Sequence, residues 1–335
     1  ISWRRHDDQQ PRRPAVVPRL PRSDLRQPAR GMGLVLSAAL ADRDPVQQRR
    51  GAQGPLPARG ALLLSQGDVG GMTDTQYTLS SRQKIDVLTE QAIQRLREHE
   101  PDEGYYLAFS GGKDSMVIYD LAVRAGVRFD AHFHQTTVDP PEVLRFIREH
   151  YPDVAWTKPK RSMFQMIVDH GTPPTRIIRY CCSELKELHG SGRIVVLGVR
   201  WAESARRRNR PVYGESTRQA GTYFLSPIVD WTTADVWDYI LSRNLPYCSL
   251  YDEGKTRIGC IMCPMQGSKG MLIDAERYPK FYKAYLRAIE KMLDALQADG
   301  KTFPHGSTPE EVMHWWIHNA DYDTQTVQTS LEGNL

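Results

Sequence analysis

Residues 105–125 read YYLAFSGGKDSMVIYDLAVRA. The apolar run 105–109 has the length and β-propensity of a strand, and a helical pattern begins at Asp114 and continues to Ala125. Between them stands Ser110-Gly111-Gly112-Lys113-Asp114-Ser115. A glycine turn between a strand and a helix is a place where backbone can hold phosphate. Gly111 and Gly112 have no Cβ, so the chain can approach an anion closely. The free N–H groups of the first helical turn point at such an anion, and the helix dipole favours its charge. Ser110 and Ser115 add hydroxyl donors, and Lys113 adds a positive charge. Asp114 either positions a magnesium ion or caps the helix. The spacing is not the Walker pattern, which needs four residues between its first Gly and Gly-Lys.

Working outward, Ser81–Glu98 has helical periodicity, with Ile85, Leu88, Ala92, Ile93 and Leu96 on one side. Phe129–Gln135 reads as a second strand and Glu142–Glu149 as a second helix after a Pro-Pro stop. A third strand is expected at Val154–Thr157. The continuous apolar run at 194–199 suits a strand buried on both faces. Thr232-Thr233-Ala234-Asp235 forms a capping box for a helix running to Ser242. Strands alternating with helices predict an α/β fold, a Rossmann-like parallel sheet with helices on both faces. Ligands on such sheets sit beyond the carboxyl ends of the strands. Three polar clusters fall there: 110–115, 136–142 and 198–207. Two helices, Tyr278–Ala298 and one capped at Thr308, form a C-terminal helical extension.

The net charge of +4 divides unevenly. Residues 1–71 hold twelve Arg, no Lys, no Glu, six Asp and eight of the 22 Pro, giving +6. The remaining 264 residues carry 32 basic and 34 acidic groups, so basicity there does not argue for nucleic acid. Residues 1–71 are expected to be disordered. The normal composition that begins at Met72 reads as the true start of an over-extended frame. The domains are then 72–264, a nucleotide-binding domain with the cysteine site, and 265–335, the helical extension. No apolar run reaches transmembrane length, and a cytoplasmic protein is expected.

The five cysteines are Cys181, Cys182, Cys248, Cys260 and Cys263. Cys260-Ile-Met-Cys263 has a metal or redox spacing. Read from spacing alone, Cys181, Cys182, Cys260 and Cys263 hold zinc, hold an iron–sulfur cluster, or are buried free thiols.

SGGKDS resembles the PP-loop of the adenine nucleotide α-hydrolase-like enzymes. From Tyr105 to Pro264 the chain is similar to the phosphoadenosine phosphosulfate (PAPS) reductase family. The residues that carry the resemblance are SGGKDS, Pro141-Glu142, Cys181-Cys182-Ser-Glu-Leu-Lys186 and Gly198-Val-Arg200-Trp-Ala-Glu203-Ser204-Ala-Arg206-Arg207. Pro227-Ile-Val-Asp230-Trp231-Thr232 and Leu245-Pro246-Tyr247, leading to Ile258-Gly259-Cys260-Ile-Met-Cys263, complete the series. Members with both cysteine elements carry a [4Fe-4S] cluster. The resemblance therefore implies that Cys181, Cys182, Cys260 and Cys263 are cluster ligands beside ATP or a sulfonucleotide (APS or PAPS). Lys186, one helical turn after Cys182, is expected to face the cluster or substrate, and Lys113, Asp114 and Lys186 are the catalytic candidates. Gly198, Arg200, Glu203, Ser204 and Arg207 join the nucleotide site, with Arg200 and Arg207 expected to hold phosphate or sulfate. Thr136 and Thr137 replace the family's Asp-Thr-Gly and are placed at the nucleotide.

The family's reductases attack sulfate with a later cysteine in a Glu-Cys-Gly motif, and no cysteine follows Cys263 here. Sulfur activation or transfer, with a sulfur-donor protein as partner, is thus the leading expectation. A reductase using an external thiol or Cys248 is the alternative. A nucleotide and cluster sensor touching nucleic acid through Arg206, Arg207, Arg208 and Arg210 is a third.

Overall fold

The structure, a computed structural model, describes residues 74–187 and 189–319. The expectations for residues 1–71, including disorder and the start at Met72, lie outside the described residues. The chain divides into two units, 19–79 and a second whose described part begins at Ser80. The second holds the sheet and both hydrophobic cores.

The elements are α1 (Asp74–Glu98), β1 (Tyr105–Phe109), α2 (Lys113–Ala125), β2 (Phe129–His134), α3 (Pro141–His150), β3 (Ala155–Thr157), α4 (Met163–His170) and α5 (Tyr180–Cys182). Then come β4 (Ile194–Val196), β5 (Tyr213–Glu215), β6 (Tyr223–Leu225), α6 (Thr233–Ser242), α7 (Gly267–Arg277), α8 (Pro279–Ala298) and α9 (Pro309–His318). The sheet order is β3-β2-β1-β4-β6-β5. All pairs are parallel except β5 with β6. The expected parallel sheet with flanking helices is present, with one antiparallel pair at its edge, where a short loop returns the chain from β5 to β6.

From β1 the chain steps outward through β2 to β3, then crosses back to pair β4 against the other side of β1. The strand order reverses between β1 and β4, and ligands of open α/β sheets sit beyond the carboxyl ends of the strands at such a point. Tyr105, Leu107 and Phe109 are buried with Met116, Val117, Ile118 and Leu121 of α2, which fixes the turn between them. α1 buries Ile85, Ala92, Ile93 and Leu96 in the same core.

The second core joins α4, α8 and α9 to the segment around Met262, through Met166, Ile167, Tyr285, Ile289, Met292 and Trp316. Tyr285 donates its hydroxyl to the Ile261 carbonyl at 3.1 Å, and Trp316 Nε1 donates to the Pro174 carbonyl at 2.5 Å. Buried polar groups need such partners. The helical extension therefore braces the Cys260–Cys263 segment from behind. No helix among the described residues is long and apolar enough to cross a membrane.

Candidate functional site

The loop after β1 is built around Gly111, whose φ is +70°. A Cβ there would meet Ile147 and Val143 of α3 at 3.0 Å, so only glycine fits the packing and the left-handed backbone together. The serines hold the loop in shape. Ser115 Oγ accepts from Ser110 N at 3.2 Å and donates to the Gly112 carbonyl at 2.8 Å, while Ser110 Oγ accepts from Gly112 N at 3.3 Å. Gly112 is the N-cap residue of α2 and no side chain caps that helix.

Asp114 therefore does not cap α2. Its Oδ1 accepts from Arg200 Nε at 2.7 Å, and Lys113 Nζ lies 3.3 Å from Oδ2. Arg200 is 1% exposed and also donates to the Trp231 carbonyl at 3.2 Å. The phosphate contact expected of Arg200 is thus replaced by a buried ion pair, which ties the start of α2 to the loop after β4. Gly198 makes the approach possible, since a Cβ on it would stand 2.9 Å from the Asp114 Cβ. Glu203 accepts from Arg200 N at 2.9 Å and pairs with Arg207. Ser204, Arg206, Arg208 and Arg210 are exposed.

Two partners of the loop come from far along the chain. Lys113 N donates to the Tyr251 hydroxyl at 2.8 Å, and Lys113 Nζ donates to the Thr256 carbonyl at 3.4 Å. Neither residue belongs to the expected site. The only signal for them is their place in the stretch that runs into Cys260.

Thr136 and Thr137 also differ from expectation. Thr136 is buried, with its N–H and hydroxyl both given to Asp139, at 2.6 and 2.8 Å. Its Oγ1 accepts from the Cys260 thiol at 3.4 Å. Thr137, at φ +66°, accepts from Met163 N at 2.9 Å. Both hydroxyls serve the protein itself, and Thr136 joins the end of β2 to the cysteine site.

The four cysteines converge. Cys181 and Cys182 sit where α5 widens into a π-helical turn, Ser183–Glu187, and Cys260 and Cys263 flank Met262 at φ +56°. Cys181 hydrogen-bonds to Cys182, which raises its own pKa and lowers that of Cys182; the field of Cys260 and Cys263 reaches Cys181 as well. Arg179 and Lys186 add to the preference for a Cys182 thiolate. Burial and Cys260 push Cys263 up to about 11. Lys186 is held firmly protonated, chiefly by Cys260, with Asp139 and Cys182 contributing. Lys186 thus lies within electrostatic reach of the thiols.

Among the described residues no group of three or more His, Cys, Asp or Glu side chains is arranged to hold a metal ion. A single zinc ion would draw its sulfurs to about 2.3 Å from itself. Four thiols on two segments, with Arg179 and Lys186 beside them, are a donor type that both zinc and iron–sulfur clusters accept.

Comparison with known proteins gives the chain a relationship. Residues 104–266 match the phosphoadenosine phosphosulfate reductase domain. The chain carries a PAPS reductase domain. Two proteins of Methanocaldococcus jannaschii, both uncharacterised, are similar: one is 28% identical over 199 residues, 55% of this chain and 41% of its own length. The other is 26% identical over 229 residues, 64% of this chain and 56% of its own. The chain thus spans about half the length of these relatives. An adenosine 5′-phosphosulfate reductase of Oceanobacillus iheyensis is 29% identical over 176 residues, 48% of this chain and 71% of its own. Among solved structures, a Candida auris phosphoadenylyl-sulfate reductase with phosphate aligns at TM-score 0.40 and 20% identity, covering 58% of this chain and 98% of that one. The fold itself is carried by the strand order rather than by that loose likeness.

Within the PAPS reductase domain, Cys248 is no nucleophile. It is 1% exposed in the main core, and burial pushes its thiol up. A thiolate must be accessible and stabilised to attack, so the alternative that relied on Cys248 is corrected.

Proposed function

We propose that the protein is an adenine-nucleotide-dependent enzyme of sulfur metabolism. The nucleotide's phosphates bind at Ser110–Ser115 and sulfur is activated or transferred beside the four cysteines. The observation that carries the reading is the meeting of two parts at one sheet edge. Lys113 contacts Tyr251 and Thr256, whose segment runs into Cys260, while Cys260 touches Thr136 at the end of β2.

The residues divide the work. The loop amides and Lys113 hold phosphate oxygens and stabilise charge that develops on them. Arg200 and Asp114 are positioning residues that hold α2 in register with the loop after β4. Lys186, kept protonated, supplies a fixed positive charge to an anionic substrate group near the thiols. Cys181, Cys182, Cys260 and Cys263 would hold a [4Fe-4S] cluster. Such a cluster, when bound, supplies electron storage next to the substrate.

A second reading is reduction of APS or PAPS with an external thiol, favoured by the similarity to a reductase of that class. Product analysis separates the two. Anaerobically purified protein is incubated with ATP, APS or PAPS and a dithiol. Pyrophosphate from ATP supports activation for transfer, and sulfite from APS or PAPS supports reduction. Neither product under any condition removes the enzymatic reading.

A further inference from the structure

A crevice of about 400 Å³ opens at the carboxyl ends of β2 and β3. Lys158, Lys160 and Arg161 line it as the chain leaves β3, with His134 from the end of β2 and Leu185 and His189 from the stretch after the cysteine pair. The charges are not all matched. Arg161 donates to Asp169 at 2.8 Å and pairs with Glu184, which also meets His170 Nε2 at 2.9 Å. Lys158 and Lys160 are exposed and have no ion-pair partner among the described residues. Two unmatched ammonium groups beside a concave, partly apolar wall mark an anion site rather than a solvated face.

The imidazoles add to this. His134 and His189 stack in parallel, with ring centroids 3.5 Å apart. Burial, helped by His189, His132 and Lys186, lowers His134 to about 3, so the ring is neutral at pH 7. Its Nε2 meets the Tyr106 hydroxyl. Burial keeps that phenol protonated, and a protonated phenol can give or take the hydrogen bond with the ring. Nδ1 is buried and has no partner. A buried polar atom without a partner is costly, and a bound polar group that reaches it would relieve that cost.

We infer that this crevice binds a phosphate monoester of nucleotide size, separate from the nucleotide at the loop after β1. The volume is in the range of small-molecule sites, about 300–1,000 Å³. The lysines take the phosphate dianion, Met166 and Leu185 offer apolar wall, and the imidazole pair offers flat ring surface for a base. Glu184 and Leu185 follow Cys182 after one residue, Ser183, and Gln135 precedes Thr136, which touches Cys260. A ligand here would lie beside segments that lead to the thiols, as a second substrate would. The inference does not require the activity proposed above.

Calorimetry tests it on the full chain, with cytidine 5′-monophosphate (CMP) as probe and ATP present at saturation. Wild type should bind CMP with ATP in place. Lys158→Ala/Lys160→Ala, both exposed positions, should weaken CMP binding by about tenfold or more and leave ATP binding unchanged. Lys113→Ala should do the reverse. Wild type that fails to bind CMP, a double variant that binds it as wild type does, or displacement of CMP by ATP would each overturn the second site. Failure of ATP to bind wild type would instead remove the nucleotide reading, with CMP binding still measured on its own.

Discussion

The pair Arg200–Asp114 makes a prediction whose sign depends on which partner is removed. The Arg200 side chain is 2% exposed and the Asp114 side chain 20%. Asp114→Ala strands a guanidinium in the interior. The acceptors left to it are the Trp231 carbonyl at 3.2 Å and the Thr233 hydroxyl at 3.4 Å, both neutral. Breaking a buried pair in this way costs about 3–5 kcal/mol. Arg200→Met removes the buried charge and fills much of its volume. The carboxylate it leaves is partly solvated and has Lys113 Nζ at 3.3 Å, so the cost falls to about 1–2 kcal/mol. Combining the two replaces an ion pair by apolar groups, which is often near neutral. The double variant should therefore be at least ~1 kcal/mol more stable than Asp114→Ala alone. Urea unfolding at neutral pH measures all three, with unchanged slopes as the check on two-state behaviour. The reasoning is refuted if Arg200→Met costs as much as Asp114→Ala, or if the double variant is the least stable. Both single variants should also weaken ATP binding, because α2 then loses its tie to the loop after β4.

Gly198→Ala would force a Cβ to within 2.9 Å of the Asp114 Cβ and 3.0 Å of its carbonyl carbon. It should cost about 1–3 kcal/mol and lower ATP affinity, while an unchanged affinity would show that the close approach is dispensable. Asp130 gives an acid limb. Burial would raise its carboxyl, but His132 and Arg193 outweigh burial and hold it at about 2. Because its folded pKa is depressed, the stability it contributes, about 2 kcal/mol, is present above the unfolded value of about 3.9 and lost as pH falls toward 2. Arg193→Met should flatten that part of a pH series of urea midpoints, and identical slopes would count against the assignment. Tyr285→Phe leaves the Ile261 carbonyl without its donor and should cost about 1–2 kcal/mol. It should also speed alkylation of Cys260 in the metal-free protein, and an unaltered rate would deny the brace. For the cluster, Cys260→Ser should lose iron and visible absorbance together, and full retention of both would remove Cys260 from the ligand set.

Much of the fold was legible because its elements are long or capped. β1 and α2 follow directly from the quoted stretch, and Thr232 and Thr308 form the capping boxes their sequences announce. What escaped was short or masked by composition. β5 and β6 are three residues each, too brief for alternation to register. α7 begins Gly-Ser-Lys-Gly, a turn-like composition that hides a helix. α4 had readable ends, the Ser162 cap and Gly171 at φ +64°, and buries Met163, Met166 and Ile167 at helical spacing. Its eight residues were simply less conspicuous than their neighbours.

The site was legible as a set of residue types but not as a division of roles. Sequence places Arg200 near phosphate because a guanidinium suits phosphate. Only packing reveals that Asp114, 86 positions earlier, claims it first. The same holds for Thr136, whose hydroxyl proton goes to Asp139 and whose oxygen receives a thiol. Tyr251 is the converse, a residue with no motif of its own that stands 138 positions from the amide it contacts. A polar side chain's first obligation in a fold is to whatever buried group would otherwise lack a partner. Ligand contacts would then fall to groups left over, such as Lys186, while the loop amides and Lys113 would have to exchange partners they already have in Ser115, Ser110, Tyr251 and Thr256. If that reasoning is right, Lys186→Ala should impair turnover more than it impairs folding, whereas Asp114→Ala should impair both.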